Sequence, residues 1–163
     1  MQTLKVLTLS NGRGEDQLAK SFLLQFQKHR PENIHLILHG LPLVGPGRHY
    51  APQIEVIRSW EDSPTGGFVN SWSGLIQNLR AGLFSKIIDQ IQWLKKNINN
   101  YNLILSFGDM SSVFYLSWMK HPAHYHFETA LSTYLRPYHF FELRLLKKHC
   151  RLVFTRDLKT QQD

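Results

Sequence analysis

The chain has 163 residues, 42% of them hydrophobic, enough for one domain to bury a core without disulfide or metal staples. A formal net charge of +7 implies attraction to anionic partners, whether nucleic acid, lipid head groups or phosphorylated small molecules. The single cysteine, Cys150, excludes an intramolecular disulfide or a CxxC metal or redox motif, and before Leu152, Val153 and Phe154 it reads as a small core hydrophobe.

Leu4, Val6, Leu7 and Leu9 predict a buried strand over 4–9, and polar Ser10 and Asn11 follow too soon for a secretory apolar segment, so the chain is expected in the cytoplasm. No apolar run reaches the roughly 18 residues that span a bilayer. A polar, glycine-bearing loop, Ser10-Asn11-Gly12-Arg13-Gly14-Glu15-Asp16, comes next. Leu18, Ala19, Phe22, Leu23 and Phe26 then predict a helix over 16–29, stopped by Pro31. A loop that turns from a strand into a helix presents backbone N–H groups and a helix N-terminus where open α/β sheets bind ligands.

A second strand is predicted over 34–38, closed by Gly40, and a third over 53–57 after a Gly/Pro-rich loop. Trp72, Leu75, Ile76, Leu79, Leu83, Ile87, Ile91 and Leu94 recur at steps of three and four, which predicts a long amphipathic helix or a pair broken at Gly82. Further elements are a strand over 103–107 ending in Gly108-Asp109, a helix over 111–119, a strand over 124–127, a helix over 140–148 and a strand over 152–155. Strands alternating with helices predict an α/β fold, a Rossmann-like, doubly wound and mostly parallel sheet in one domain.

Within the first loop, Gly12 and Gly14 permit positive φ and close approach of the backbone to a ligand. Arg13 supplies a fixed cation, and Glu15 or Asp16 can cap the helix. The spacing is neither GxGxxG nor a P-loop, so it carries no independent nucleotide-binding signal. In the second loop Arg48, between Gly47 and Tyr50, either holds an anion or is a solvated cation. Asp109 lies at a strand's carboxyl end and either faces a cleft or caps the next helix. His121, His124, His126 and His139 invite a metal reading, but no carboxylate or cysteine framework completes a ligand set, and no metal or other cofactor is expected. Trp72, Phe84 and Trp93 with Lys86, Lys95 and Lys96 suit either a helix packed on the sheet or one lying at an anionic membrane surface.

The ordered blocks Ser10 through Asp16, Leu41-Pro42-Leu43-Val44-Gly45 with Gly47-Arg48 and Tyr50, Pro64-Thr65-Gly66-Gly67-Phe68, Arg80-Ala81-Gly82-Leu83 and Gly108-Asp109 resemble the lipid-A-disaccharide synthase-related glycosyltransferases. The closing Phe154-Thr155-Arg156-Asp157 is also similar. The resemblance covers essentially the whole chain, but only the amino-terminal half of the family's usual length. It implies a GT-B architecture in which residues 1–163 are the acceptor-binding domain and a separate domain, absent from these residues, binds the nucleotide-sugar donor.

The implied function is the acceptor half of a transferase acting on a lipid-linked or amphiphilic sugar, peripheral to the inner face of the membrane and not catalytic alone. Asp109 is then the candidate base that takes the acceptor hydroxyl's proton. Asn11, Gly12, Arg13, Gly14, Glu15, Asp16, Arg48, Gly66, Gly67, Thr129 and Ser132 are the candidate acceptor-binding residues. Many relatives carry histidine at the position of Arg13, which cannot serve as a base but can anchor a phosphate. Around 128–135 the family reads Gly-Thr-Ala-Lys-Ser-Asp-Tyr-Tyr; Thr129, Ala130, Ser132 and Tyr134 match, whereas Glu128, Leu131 and Thr133 depart from it. The rival reading is a non-enzymatic Rossmann-like module whose basic surface takes nucleic acid or another anion, but no RRM, KH, helix-turn-helix or zinc-finger signature supports a nucleic-acid partner.

Overall fold

The structure, a computed structural model, describes residues 1–58, 83–119, 121, 124–129 and 137–157, with 83 and 84 described in backbone only. In chain order the elements are β1 (Gln2–Ser10), α1 (Arg13–Lys28), β2 (Ile34–Pro42), β3 (Glu55–Val56), α2 (Leu83–Asn97), a 3₁₀ turn (Ile98–Asn100), β4 (Leu103–Gly108), α3 (Met110–Ser117), β5 (His124–Glu128), α4 (Phe140–His149) and β6 (Leu152–Phe154). Six strands form one sheet in the order β3-β2-β1-β4-β5-β6, and every ladder is parallel. This is a Rossmann-like α/β fold, with its topological switch point between β1 and β4.

The two faces of β1 show how the sequence pattern becomes two layers. Val6 packs with Ala19 and Leu23 of α1, Leu36 and Leu38 of β2 and Leu105 and Phe107 of β4. Leu7 and Leu9 point the other way, against Leu94 of α2, Leu116 of α3 and Ile104 of β4. Because successive strand residues alternate faces, a strand covered on both sides carries apolar residues on each, as Val6 on one face and Leu7 and Leu9 on the other do here. Burial of each such Leu or Val contributes about 1.5–3 kcal/mol.

Several expected boundaries move, each for a local reason. β2 does not stop at Gly40 but runs to Pro42, because Gly40 serves a close approach: a Cβ there would lie 3.0 Å from the Tyr50 ring. β3 shrinks to Glu55–Val56 at the sheet edge. α1 begins at Arg13, three residues earlier than the pattern suggests, so neither Glu15 nor Asp16 is its N-cap. That position falls to Gly12, whose φ of 145° a side chain would strain. The helix expected around 71–94 is described only as α2, which begins just after Gly82.

α2 is a helix packed on the sheet: Leu94 is fully buried, Trp93 packs against the same core, and Lys95 lies over the Trp118 ring at 5.7 Å. Trp72 and the side chain of Phe84 lie outside the described residues. Among the described residues no helix is long and apolar enough to cross a membrane.

Candidate functional site

The loops that follow β1 and β4 meet at the switch point. Gly108 adopts a φ of 132°, and a Cβ there would stand 3.0 Å from the Asn11 Cβ, so the β4 loop passes directly against the β1 loop. Asn11 Nδ2 donates to Asp109 Oδ1 at 2.9 Å. The same oxygen accepts from the Ser111 backbone N–H at 2.9 Å and from the Ser111 hydroxyl, which makes Asp109 the N-cap of α3. Asp109 is therefore both cap and neighbour of the first loop. Its carboxylate is half-buried, and no donor among the described residues reaches Oδ2.

On the β2 side of the same loop, a cavity of about 240 Å³ is lined by Arg13, Asp16, Val44, Gly45, Pro46, Gly47, Arg48 and His49. Its far wall is fixed to the sheet: Leu43 N donates to Ser10 O at 2.8 Å, Gln90 Nε2 of α2 donates to Leu43 O at 3.0 Å, and Tyr50 N donates to Gly47 O at 3.0 Å. Arg13, Arg48 and His49 offer N–H donors to an anion, beside the first turn of α1 with its outward N–H groups.

Asp16 is the acid in this basic cavity. It is 2% exposed, and burial lifts its carboxyl to about 6, against the lowering pull of its Ser10 hydrogen bond and of His49. The support behind it is a buried chain: Tyr50 Oη donates to Ser10 Oγ at 2.7 Å, and Ser10 Oγ donates to Asp16 Oδ1 at 2.5 Å. Burial likewise pushes the Tyr50 phenol upward, so it remains a donor throughout the physiological range.

The expected site residues divide into groups. Arg13, Asp16 and Arg48 line one cavity, and Asn11 and Asp109 are hydrogen-bonded. Glu15 folds back over the loop, its Oε2 3.1 Å from where a Gly12 Cβ would stand. Gly14 corrects an expectation: its φ is not positive, and a Cβ there would meet nothing within 4 Å, so it leaves an open patch on the first turn of α1. Thr129 is tied to the β4 loop through its N–H to Gly108 O at 3.2 Å, while its Oγ1 is buried without a partner among the described residues. Gly66, Gly67 and Ser132 lie outside the described residues.

Sequence reasoning passed over Ser10, Tyr50 and His49 as functional groups. The signal was present: Ser10 continues the alternation of Val6 and Thr8 toward the α1 face, and Asp16 stands one helical turn in on the same side.

His124 and His126 form a second polar cluster, this one under the opposite face, while His121 Nε2 lies 3.0 Å from Tyr101 O and His139 is the N-cap of α4. Ser106 Oγ lies 2.7 Å from His124 Nε2 and 2.8 Å from His126 Nδ1, and His126 Nε2 lies 3.4 Å from Glu128 Oε2. All four residues are buried. One hydroxyl proton cannot serve two imidazoles, so one ring accepts from Ser106 and the other donates to it. Burial, with His126 close by, lowers His124 to about 3 and keeps it neutral. The His124 and His126 pair on one strand face is thus a hydrogen-bonded core element, and no metal-holding group of His, Cys, Asp and Glu occurs among the described residues. Cys150 is half-buried rather than a sealed core residue; its Sγ is 3.6 Å from His124 Nδ1, and burial lifts its thiol to about 12.

No family model matches this chain, and no curated protein matches it. Among solved structures, the homoserine dehydrogenase of S. aureus is similar over 95% of this chain and 33% of that one, with 12% identity and a TM-score of 0.39. The chain thus spans about a third of that protein's length.

Proposed function

We propose that these residues form the acceptor-binding domain of a GT-B glycosyltransferase of the lipid-A-disaccharide synthase-related kind, acting on a lipid-linked or amphiphilic sugar. The observation that supports this reading best is the hydrogen bond from Asn11 to Asp109, which joins two of the resembling sequence blocks at the switch point of the sheet. A ligand placed there has a carboxylate on the β4 side and a basic cavity on the β2 side of one loop.

In this reading Asp109 holds two jobs that its two oxygens separate. Oδ1 is committed to Asn11 and the α3 cap, and Oδ2 accepts the proton that the acceptor hydroxyl loses as it attacks the anomeric carbon. Arg13 and Arg48 hold an anionic part of the acceptor, and the net charge of +7 favours an anionic membrane surface. The donor nucleotide sugar is bound by a second Rossmann-like domain, which contributes the other wall of the cleft.

The test is reconstitution. The chain alone should transfer no sugar from nucleotide-sugar donors, and addition of the matching donor-binding domain should restore turnover. Robust transfer by residues 1–163 alone would falsify the half-enzyme model. Flotation with anionic but not neutral vesicles supports the amphiphilic acceptor; tight, steeply salt-dependent binding to an arbitrary duplex without vesicle binding supports the nucleic-acid module instead.

A further inference from the structure

The direction of the hydrogen bonds behind the cavity fixes where a proton on Asp16 must sit. Tyr50 donates to Ser10, so the Ser10 hydroxyl proton points at Asp16 Oδ1, which is thereby an acceptor. A protonated Asp16 carries its proton on Oδ2. No partner for Oδ2 occurs among the described residues, and Asp16 lines the cavity. The acid can thus offer a donor to whatever the cavity holds.

Charge sets the sign of the coupling between anion and proton. An anion between Arg13, Arg48 and His49 is attracted by those groups but repelled by an ionised Asp16 on the same cavity wall. Protonation removes that repulsion and adds a hydrogen bond. Glu15, the other acid acting on Asp16, also disfavours the ionised form, whereas His49 favours it until an anion draws on the same imidazole. Anion and proton must therefore bind with positive coupling, which is reciprocal.

We propose that the cavity is a proton-linked oxyanion site: a tetrahedral anion held by Arg13, Arg48 and His49 binds together with one proton taken up by Asp16. This deepens the acceptor-site reading, naming a phosphate or sulfate group as what the acceptor presents, yet its test needs no donor domain and no transfer. Its failure and the failure of the transferase reading are therefore separate events. The carboxyl's position near 6 leaves Asp16 mostly ionised in the empty protein at pH 7, so the uptake is measurable there.

Sulfate is the probe, because unlike phosphate it does not titrate near neutrality. Calorimetry at pH 7 in buffers of different ionisation enthalpy should count close to one proton taken up per sulfate bound, and Kd should rise about tenfold between pH 7 and pH 8. Asp16→Asn should bind sulfate with neither uptake nor that slope, while His49→Gln should keep both at weaker affinity. Displacement of sulfate by inorganic phosphate or by monomeric dihexanoyl phosphatidic acid supports the site, and the more potent competitor identifies the free ion or the lipid head group as its source. Absence of sulfate binding to the wild-type chain overturns the proposal, as does proton uptake that persists in Asp16→Asn. Should that variant not fold, carboxyl-carbon NMR of the wild-type chain decides: saturating sulfate should raise the Asp16 midpoint by about three pH units, as an uptake close to one proton and a tenfold change in Kd require, and an unmoved midpoint overturns the inference.

Discussion

Asn11 and Asp109, 98 residues apart in the chain, share a 2.9 Å hydrogen bond that locks the loop after β1 to the loop after β4. The bond belongs to the capping oxygen of Asp109, so stability and chemistry can be separated by choice of substitution.

Asp109→Ala should cost about 1–2 kcal/mol through loss of the α3 cap, read from the urea midpoint. Asp109→Asn keeps an oxygen for Ser111 and should cost less than about half of that. In a reconstituted transferase Asp109→Asn should nevertheless lose about 10²-fold or more in turnover, because an amide accepts no proton. Near-normal turnover in the asparagine variant would leave Asp109 as cap alone.

Asp16 makes the native state bind a proton more tightly than the unfolded chain, its carboxyl moving from 3.8 to about 6. Stability from this group is fully present below pH 3.8 and falls as pH rises through about 6, by about 3 kcal/mol in all. Asp16→Asn removes that loss. The variant should be more stable than wild type at pH 8, by several degrees in Tm, with the advantage shrinking toward pH 4.

His124 behaves in the opposite sense. Its native pKa is about 3 against 6.5 when unfolded, so the unfolded chain binds the extra proton, and stability falls as pH drops from 6.5 toward 3, by roughly 5 kcal/mol over the whole window. Between pH 6 and 4 this loss runs against the gain from Asp16. His124→Gln can still bond Ser106 but takes no proton, so its denaturation midpoint should decline less than the wild type's from pH 7 to pH 5. Equal declines would show that His124 is not the acid-sensitive group.

Gly14 offers a cleaner separation of stability from binding. With helical φ and open space at its missing Cβ, Gly14→Ala should stabilise α1 by about 0.5–1 kcal/mol. If the open patch admits a ligand, the same methyl should weaken sulfate binding severalfold. Higher Tm with unchanged sulfate affinity would remove Gly14 from the site.

Much of the fold was legible because its strands are covered on both faces. Leu4, Val6, Leu7 and Leu9, or Leu103 through Phe107, read as strands without any contact being known. The loop at 10–16 was legible as a tight strand-to-helix turn, since glycines and polar residues follow directly on a buried strand. What was hidden depends on pairing. That Ser10 would meet Tyr50 across 40 residues, or that Ser106 would stand between two histidines of the next strand, is set by strand order and register, which no local pattern encodes. Asp109 was left between cleft and cap because both follow from the same position at a strand's end, and the structure gives the cap to one oxygen.

The strand order also sets a schedule for folding. β1 can pair with β2 once a loop of some twenty residues around α1 has closed, whereas its other neighbour, β4, lies about a hundred residues further on. Closing the longer loop is the slower step, because its entropy must be met before the pairing is gained. The cavity between the β1 and β2 loops thus draws its lining from early partners, with Gln90 of α2 added behind Leu43, and the Asn11–Asp109 bond draws on late ones. A refolding experiment followed at both places should see anion binding recover before the β4 side of the cleft is in register.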